Sequence, residues 1–311
     1  MSQSYRLQDL SIQDAWLTIG SFDGVHIGHQ KIIHQITNGA HAAGVPAVVL
    51  TFYPHPSVVL RGMQNAFYLT LPERKTDLLT EMGVDYVVVH PFDRQVASIE
   101  PHTFIETLQR HLGFSQLLVG YDFALGKNRS GNVPKLKQLG NDFGYTLQVV
   151  DALEIGGEVV SSSRIRKALE KCQIDKVTGL LGRRYSIRGT VIHGDGRGSQ
   201  IGIPTANLDV NHEQAIPGAG VYACFVRWQG TEFPAVTNIG VRPTFESTLV
   251  SPRVETHILD FSQDLYGQEL ELEFVAHLRS EKRFESIDAL IAQIHQDIAT
   301  GREILSSAGK Y

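Results

Sequence analysis

Short apolar runs alternate with helical patterns through the first half of the chain. Trp16–Gly20 predicts a strand. In His29–Ala43, Ile32, Ile33, Ile36 and Ala40 share one helical face, and Gly44 supplies a stop. Ala47–Phe52 (AVVLTF) predicts a buried strand, Glu73–Met82 a helix and Val84–Val89 a strand. Pro101 opens a helix and Gln116–Val119 reads as a strand. Val133, Leu136, Leu139 and Phe143 fit another helix, Thr146–Val150 a strand, and a helix begins near Ser163. This alternation predicts an α/β domain with a doubly wound parallel sheet, helices covering both faces.

From about Tyr185 the period changes to two. YSIRGTVIH alternates, VYACFVRW and FPAVTNIG are strand-like, and ELELEF sets Leu270, Leu272 and Phe274 on one face against three glutamates. Ile287, Leu290, Ile291, Ile294 and Ile298 then form one helical stripe. Antiparallel strands followed by a helix predict a small, mostly-β barrel with a terminal helix. The expected domains are 1–182 and 183–311, with Gln173–Arg184 joining them.

Composition narrows the partners. The 311 residues are 42% hydrophobic and 20% charged, with a net charge of -5, which disfavours nucleic acid. A small anion remains possible, since local loops and helix ends decide that. Cys172 and Cys224 are too far apart in sequence for a CxxC pair and give no disulfide framework. MSQSYRLQDL lacks the apolar core of a signal peptide, and no apolar run is long enough for a bilayer. A cytoplasmic protein without a membrane partner, monomeric or weakly oligomeric, is the expectation.

The strongest signal in the first half is TIGSFDGVHIGHQKII. A strand runs into Gly20, then a turn, then a helix starting near Gly28–His29. In a parallel sheet this turn lies at the carboxyl end of a strand, where ligands bind. Gly20, Gly24 and Gly28 allow close backbone approach, and the helix end suits phosphate. His26 and His29 flank that mouth as exposed rings able to donate to phosphate oxygens. A zinc pair lacks a third ligand with suitable spacing, and an NAD site lacks GxGxxG; two merely structural histidines are the remaining alternative.

FDGVHIGH resembles the HxGH signature of nucleotidylyltransferases, and GSFDGVHIGHQ resembles bacterial FAD synthetases in particular. That resemblance implies that His26 and His29 stabilise the α-phosphate of ATP, with Phe22 and Asp23 in the nucleotide cradle. VSSSRIRKAL is similar to the family's ISSTxxR motif, which assigns Ser162, Ser163 and Arg164 to nucleotide binding and Arg166 to catalysis; a solvated basic turn is the alternative. Ser163 stands where the family has threonine. VGYDFALGKNRSG is similar to VGxDFxFGxxxxG, which places Asp122 on the flavin and adenine side; Leu125 replaces an aromatic residue. TFYPHP is also family-like, and equally a proline-stiffened loop.

The second half has no GxxxxGK[ST], so a P-loop kinase is excluded. It offers HGDGRGSQIGIPTANL instead, in which Gly194, Asp195, Gly196, Arg197 and Gly198 form a glycine loop ahead of Pro204–Asn207. On glycine content alone this is a surface hairpin connection. The stretch closely resembles the riboflavin kinase signature, which implies a Greek-key barrel, a glycine loop over ATP phosphates, and Mg²⁺ held by Thr205 and Asn207. TNIGVRPTF, VETHILD and LYG follow in family order. Glu255 aligns with the catalytic base that would deprotonate the ribityl 5′-hydroxyl, although by itself it reads as an outward-facing strand glutamate. Arg279 matches a flavin-site arginine and equally suits a surface salt bridge. The resemblance thus implies an enzyme converting riboflavin to FMN and FMN to FAD, with ATP as co-substrate. A kinase with a degenerate N-terminal domain conflicts with the intact His26, His29, Ser163 and Arg166. A different nucleotidylyltransferase would have no use for the second half.

Overall fold

The computed structural model describes residues 3–62, 67–194, 196, 198, 201–241 and 252–308. The chain divides into two compact units, Met1–Ser162 and Ser163–Tyr311.

The first unit is a six-stranded parallel sheet. Its order runs from Ser4–Tyr5 through Tyr86–Pro91, Ala47–Tyr53, Trp16–Ile19 and Gln116–Gly120 to Thr146–Val150. Helices Ile27–Ala43, Pro72–Glu81, Pro101–Leu112 and Val133–Phe143 connect the strands. The interior strands read as apolar runs because both faces are covered: Val48, Val49 and Leu50 are all fully buried. The chain leaves Trp16–Ile19 in one direction through Ala47–Tyr53 and later returns to its other side at Gln116–Gly120. This reversal of strand order makes the carboxyl end of Trp16–Ile19 the topological switch point, where a crevice opens for ligand. The loops after Ile19, Tyr53 and Gly120 therefore share one edge of the sheet. Helix Ile27–Ala43 ends as the sequence predicts, with Gly44 left-handed at φ 71°.

The second unit carries a closed antiparallel barrel ordered Tyr185–Ile192, Ala206–Val210, Pro252–Ile258, Thr231–Val241, Gly220–Trp228, Glu269–Arg279. Leu270, Leu272 and Phe274 are fully buried, so the period-two pattern of ELELEF points one face inward. Burial of each such side chain contributes about 1.5–3 kcal/mol. Helix Ile287–Ala308 packs on the barrel through Leu305 against Ala223 and Phe225. Helices Ser162–Glu170 and Ile174–Leu181 precede the barrel in sequence. Among the described residues no helix is long and apolar enough to cross a membrane.

Candidate active sites

In the first unit the strand Trp16–Ile19 delivers Gly20 to the switch point, and helix Ile27–Ala43 starts seven residues later. The connecting turn is tightly built. Gly24 has φ 83°, while Phe22 and Val25 hold positive φ values of 45° and 40°. Positive φ is unusual for bulky and β-branched residues, and it concentrates where a site over-determines the backbone. The Phe22 ring lies against Gly20, so closely that a Cβ there would sit 3.0 Å from it. Asp23 is buried, and its carboxylate accepts the amides of Leu69 (3.0 and 3.2 Å) and Thr70 (3.2 Å). Thr70 Oγ1 in turn accepts the Gly24 amide at 3.0 Å. Asp23 thus ties a second loop to the turn. Ser162 Oγ donates to the Asp23 carbonyl at 2.8 Å.

The two histidines differ from their expected state. They are not exposed rings: His26 is only 5% accessible, and it caps the helix by accepting the His29 amide on Nδ1 at 3.2 Å. That bond fixes the neutral tautomer with its proton on Nε2. The His29 ring stacks on His26 at 3.5 Å and meets the Phe22 ring edge-on at 5.2 Å. Gly28 permits this stack, since a Cβ would come within 3.2 Å of the His26 ring. His29 Nδ1 is buried without a hydrogen-bond partner among the described residues. Burial, then His26, Lys75 and His55, pushes the His29 pKa well below its usual value. His29 is therefore a neutral ring at pH 7, with a buried polar nitrogen awaiting a partner.

Several further residues were assigned to this site. Asp122 follows the strand Gln116–Gly120 and is exposed, its carbonyl accepting Arg129 Nη2 at 2.8 Å. Leu125 is buried in the main core. In TFYPHP, His55 caps helix Pro56–Arg61 by accepting the Ser57 amide at 3.0 Å. Ser163, Arg164 and Arg166 lie on helix Ser162–Glu170, within the second unit. Sequence reasoning missed Lys75 and the capping loop Leu69–Thr70, because nothing local marks a lysine in an amphipathic helix as buried.

In the second unit, register brings the assigned groups together. Asn207 pairs directly with Glu255, and Glu255 pairs on its other side with Asn238. Arg253, two residues along, donates to Asn207 Oδ1 from Nε (3.2 Å) and Nη2 (3.1 Å) and forms an ion pair with Glu255. A cavity of about 380 Å³ opens here, within the range of small-molecule sites. Its lining includes Thr205, Asn207, Glu255, Arg279 and the apolar Leu290, Ile294 and Ile298. Leu290, Ile294 and Ile298 of the terminal-helix stripe are therefore a half-buried wall of the cavity, while Ile291 is half-buried outside its lining and Ile287 is exposed. Arg279 both lines the cavity and grips the buried Asp297, with Nε at 3.0 and 2.9 Å from its oxygens and Nη2 at 2.8 Å.

The glycine loop owes two of its glycines to packing rather than flexibility. A Cβ on Gly194 would lie 2.2 Å from Asn207 Nδ2, and one on Gly198 would lie 2.4 Å from the Ile203 carbonyl. Gly196, with φ 68° and open space around it, is needed for its backbone conformation. Asp195, Arg197 and residues 242–245 of TNIGVRPTF lie outside the described residues.

Two family models cover the chain, FAD synthetase over residues 9–164 and riboflavin kinase over residues 181–305. It is 36% identical to the bifunctional riboflavin kinase/FMN adenylyltransferase of Listeria monocytogenes, over 90% of this chain and 89% of the relative. The enzyme so named from Haemophilus influenzae is 38% identical, covering 95% and 96%, and that of Escherichia coli K12 is 37% identical, covering 92% and 91%. The chain belongs to the bifunctional riboflavin kinase/FMN adenylyltransferase family. It phosphorylates riboflavin to FMN and adenylylates FMN to FAD, with ATP as co-substrate. A crystal structure described as a macrolide-efflux protein from Streptococcus pneumoniae also superposes, with a TM-score of 0.88 and 29% identity over 96% of this chain and 97% of that one.

The close approach of Gly194 to Asn207 has a measurable consequence for the kinase step. Gly194→Ala should displace the Asn207 amide and lower kcat/KM for riboflavin phosphorylation by about 10- to 100-fold, the usual penalty for an ångström-scale misplacement. FMN-to-FAD conversion should be unaffected. Steady-state assays of the two half-reactions check this, and wild-type phosphorylation would overturn it.

Proposed function

We propose that the two activities reside in chemically unlike sites. In the first, His26 and His29 donate hydrogen bonds to the α-phosphate of ATP as charge builds on it. The nucleophile is a phosphate oxygen of FMN, which needs no base. Its bond to the α-phosphorus forms as the bond to the β-phosphate oxygen breaks, and pyrophosphate leaves. Gly20, Phe22, Asp23, Gly24 and Gly28 shape the cradle. Ser162, Ser163, Arg164 and Arg166 bind ATP phosphate, as their motif implies, and Asp122 serves the flavin and adenine side. The observation that supports this reading most directly is the neutral His29, with an unpartnered buried nitrogen beside a helix N-terminus at the switch point.

In the second site, Glu255 takes the proton of the ribityl 5′-hydroxyl, whose oxygen attacks the γ-phosphorus while ADP leaves. Gly194, Asp195, Gly196, Arg197 and Gly198 cover the nucleotide, and Arg279 faces the flavin. Thr205 and Asn207 would hold Mg²⁺: a hydroxyl and an amide oxygen are hard donors that leave room for water and phosphate oxygens. The ion would neutralise phosphate charge. Among the described residues no cluster of three His, Cys, Asp or Glu side chains could hold a metal ion. The functional boundary of this reading falls near residue 182, at the start of the riboflavin kinase match, which begins at residue 181. Two free cysteines, one buried, fit a reducing cytoplasm.

Incubation with riboflavin, ATP and Mg²⁺, followed by flavin separation over time, should give FMN first and FAD later. Excess chelator should reduce FMN formation to background. FMN formed at the full rate in chelator would remove the metal assignment, and FMN without FAD would remove the assignment of the first site.

A further inference from the structure

Lys75 projects from helix Pro72–Glu81 into the switch-point end of the first sheet and is 2% accessible. Its ammonium donates to the Ser21 carbonyl at 2.9 Å and to Thr51 Oγ1 at 3.0 Å. Thr51 Oγ1 itself donates to the same Ser21 carbonyl at 3.0 Å, so the three groups lock the residue after Gly20 to the neighbouring strand. Both acceptors are neutral. Among the described residues no carboxylate lies within ion-pair distance of Lys75, and no group takes its third N–H.

A buried ammonium without a paired carboxylate is an expensive arrangement. A glutamine or a methionine could occupy a purely structural slot at lower cost. Buried cations are retained where a ligand anion offsets the desolvation, and such groups concentrate at functional sites. The surroundings point the same way. Lys75 and His55 act electrostatically on His29, which stacks on His26 and has its own orphaned nitrogen. Asp23 is the acidic group that acts on Lys75, and its carboxylate is already engaged by the amides of Leu69 and Thr70. The cluster thus holds buried positive charge and unused donors beside the glycine turn.

We propose that Lys75 is a positioning residue for adenylyl transfer: its buried ammonium fixes the Ser21 carbonyl of the glycine turn and supplies standing positive charge that draws the ATP polyphosphate into the first site. This rests on the assignment of that site to FMN adenylylation.

The charge has a titration that can be read. Burial pulls the Lys75 pKa down to about 8, against a smaller opposing effect of Asp23. The free enzyme therefore loses this charge as pH rises through about 8, while substrate phosphates, with second pKa values near 6, are already fully charged. kcat/KM for ATP in FMN adenylylation should fall through that range. kcat at saturating ATP should hold, because bound polyphosphate keeps Lys75 protonated.

The test uses the full chain with FMN, ATP and Mg²⁺, following pyrophosphate release from pH 6.5 to 9.5. Lys75→Gln keeps an N–H for the Ser21 carbonyl but no charge. It should melt as a folded protein, raise KM for ATP about tenfold or more at pH 7, and show no alkaline limb. Lys75→Arg, which does not deprotonate in this range, should shift the limb to higher pH; if the larger group does not fit, the glutamine variant decides. Wild-type KM and an unchanged limb in Lys75→Gln would overturn the proposal, leaving Lys75 a strut. His29→Ala in the same assay separates the two layers. If it leaves FAD formation intact, the site assignment falls; if it abolishes FAD formation while Lys75→Gln is unchanged, only the Lys75 inference falls.

Discussion

His29→Ala should lower FAD formation from FMN by about 100- to 1000-fold, the loss typical of one transition-state donor, while FMN continues to accumulate from riboflavin. The expectation follows from the state of the ring. His29 is neutral at pH 7, so what it offers is a directed N–H rather than a charge. That N–H gains strength as negative charge grows on the α-phosphate. The loss should appear in kcat more than in KM, because the bond strengthens in the transition state. The substitution also removes the stack on His26 and the edge contact with Phe22, so a thermal melt is needed to show that the first unit still folds. Riboflavin phosphorylation is the internal control, because the cavity lined by Glu255 and Arg279 is formed by residues of the second unit. Loss of both activities in a folded variant would sink the two-site account.

The legibility of the sequence was uneven, and the reason is physical. Local rules carried the strands and helices: Gly44 ends its helix in the left-handed conformation, and AVVLTF is a run buried on both faces. The glycine turn could be placed because a strand, a turn and a helix start lie within a dozen residues. The state of the side chains there could not. His26 was expected at the surface, yet it is buried as the cap of its own helix, with the His29 ring stacked on it. Lys75 looks like any lysine of an amphipathic helix; only the docking of that helix on the sheet turns it toward Ser21. In the barrel, the meeting of Asn207, Glu255 and Arg253 depends on strand register, to which no local pattern has access. Glycine content alone suggested a surface hairpin connection, whereas Gly194 and Gly198 are required by contacts with Asn207 and Ile203. The apolar stripe of the last helix was visible, but that Leu290, Ile294 and Ile298 wall a cavity instead of filling a core was not.

Glu255→Gln should reduce riboflavin phosphorylation by about 100- to 10,000-fold, the range for loss of a general base, and leave added FMN convertible to FAD. The ribityl hydroxyl is a weak nucleophile until its proton is taken, whereas the phosphate of FMN is already an anion. Hence the two half-reactions respond differently to removal of a base. Glutamine preserves the size of the side chain and an acceptor oxygen for Arg253, so the cross-strand arrangement with Asn207 and Asn238 should persist. What it removes is the capacity to accept a proton. The second consequence concerns Arg253. In the wild type its guanidinium bridges Glu255 and Asn207, and glutamine replaces the ion pair on one side of that bridge with a weaker neutral hydrogen bond. If Asn207 Oδ1 is a Mg²⁺ ligand, a more strongly engaged Arg253 competes with the ion, and the variant should require a higher Mg²⁺ concentration for half-maximal residual activity. A variant that phosphorylates riboflavin at the wild-type rate would remove Glu255 as the base. A slowed variant with an unchanged Mg²⁺ requirement would keep Glu255 as the base and separate Arg253 from the metal ligands.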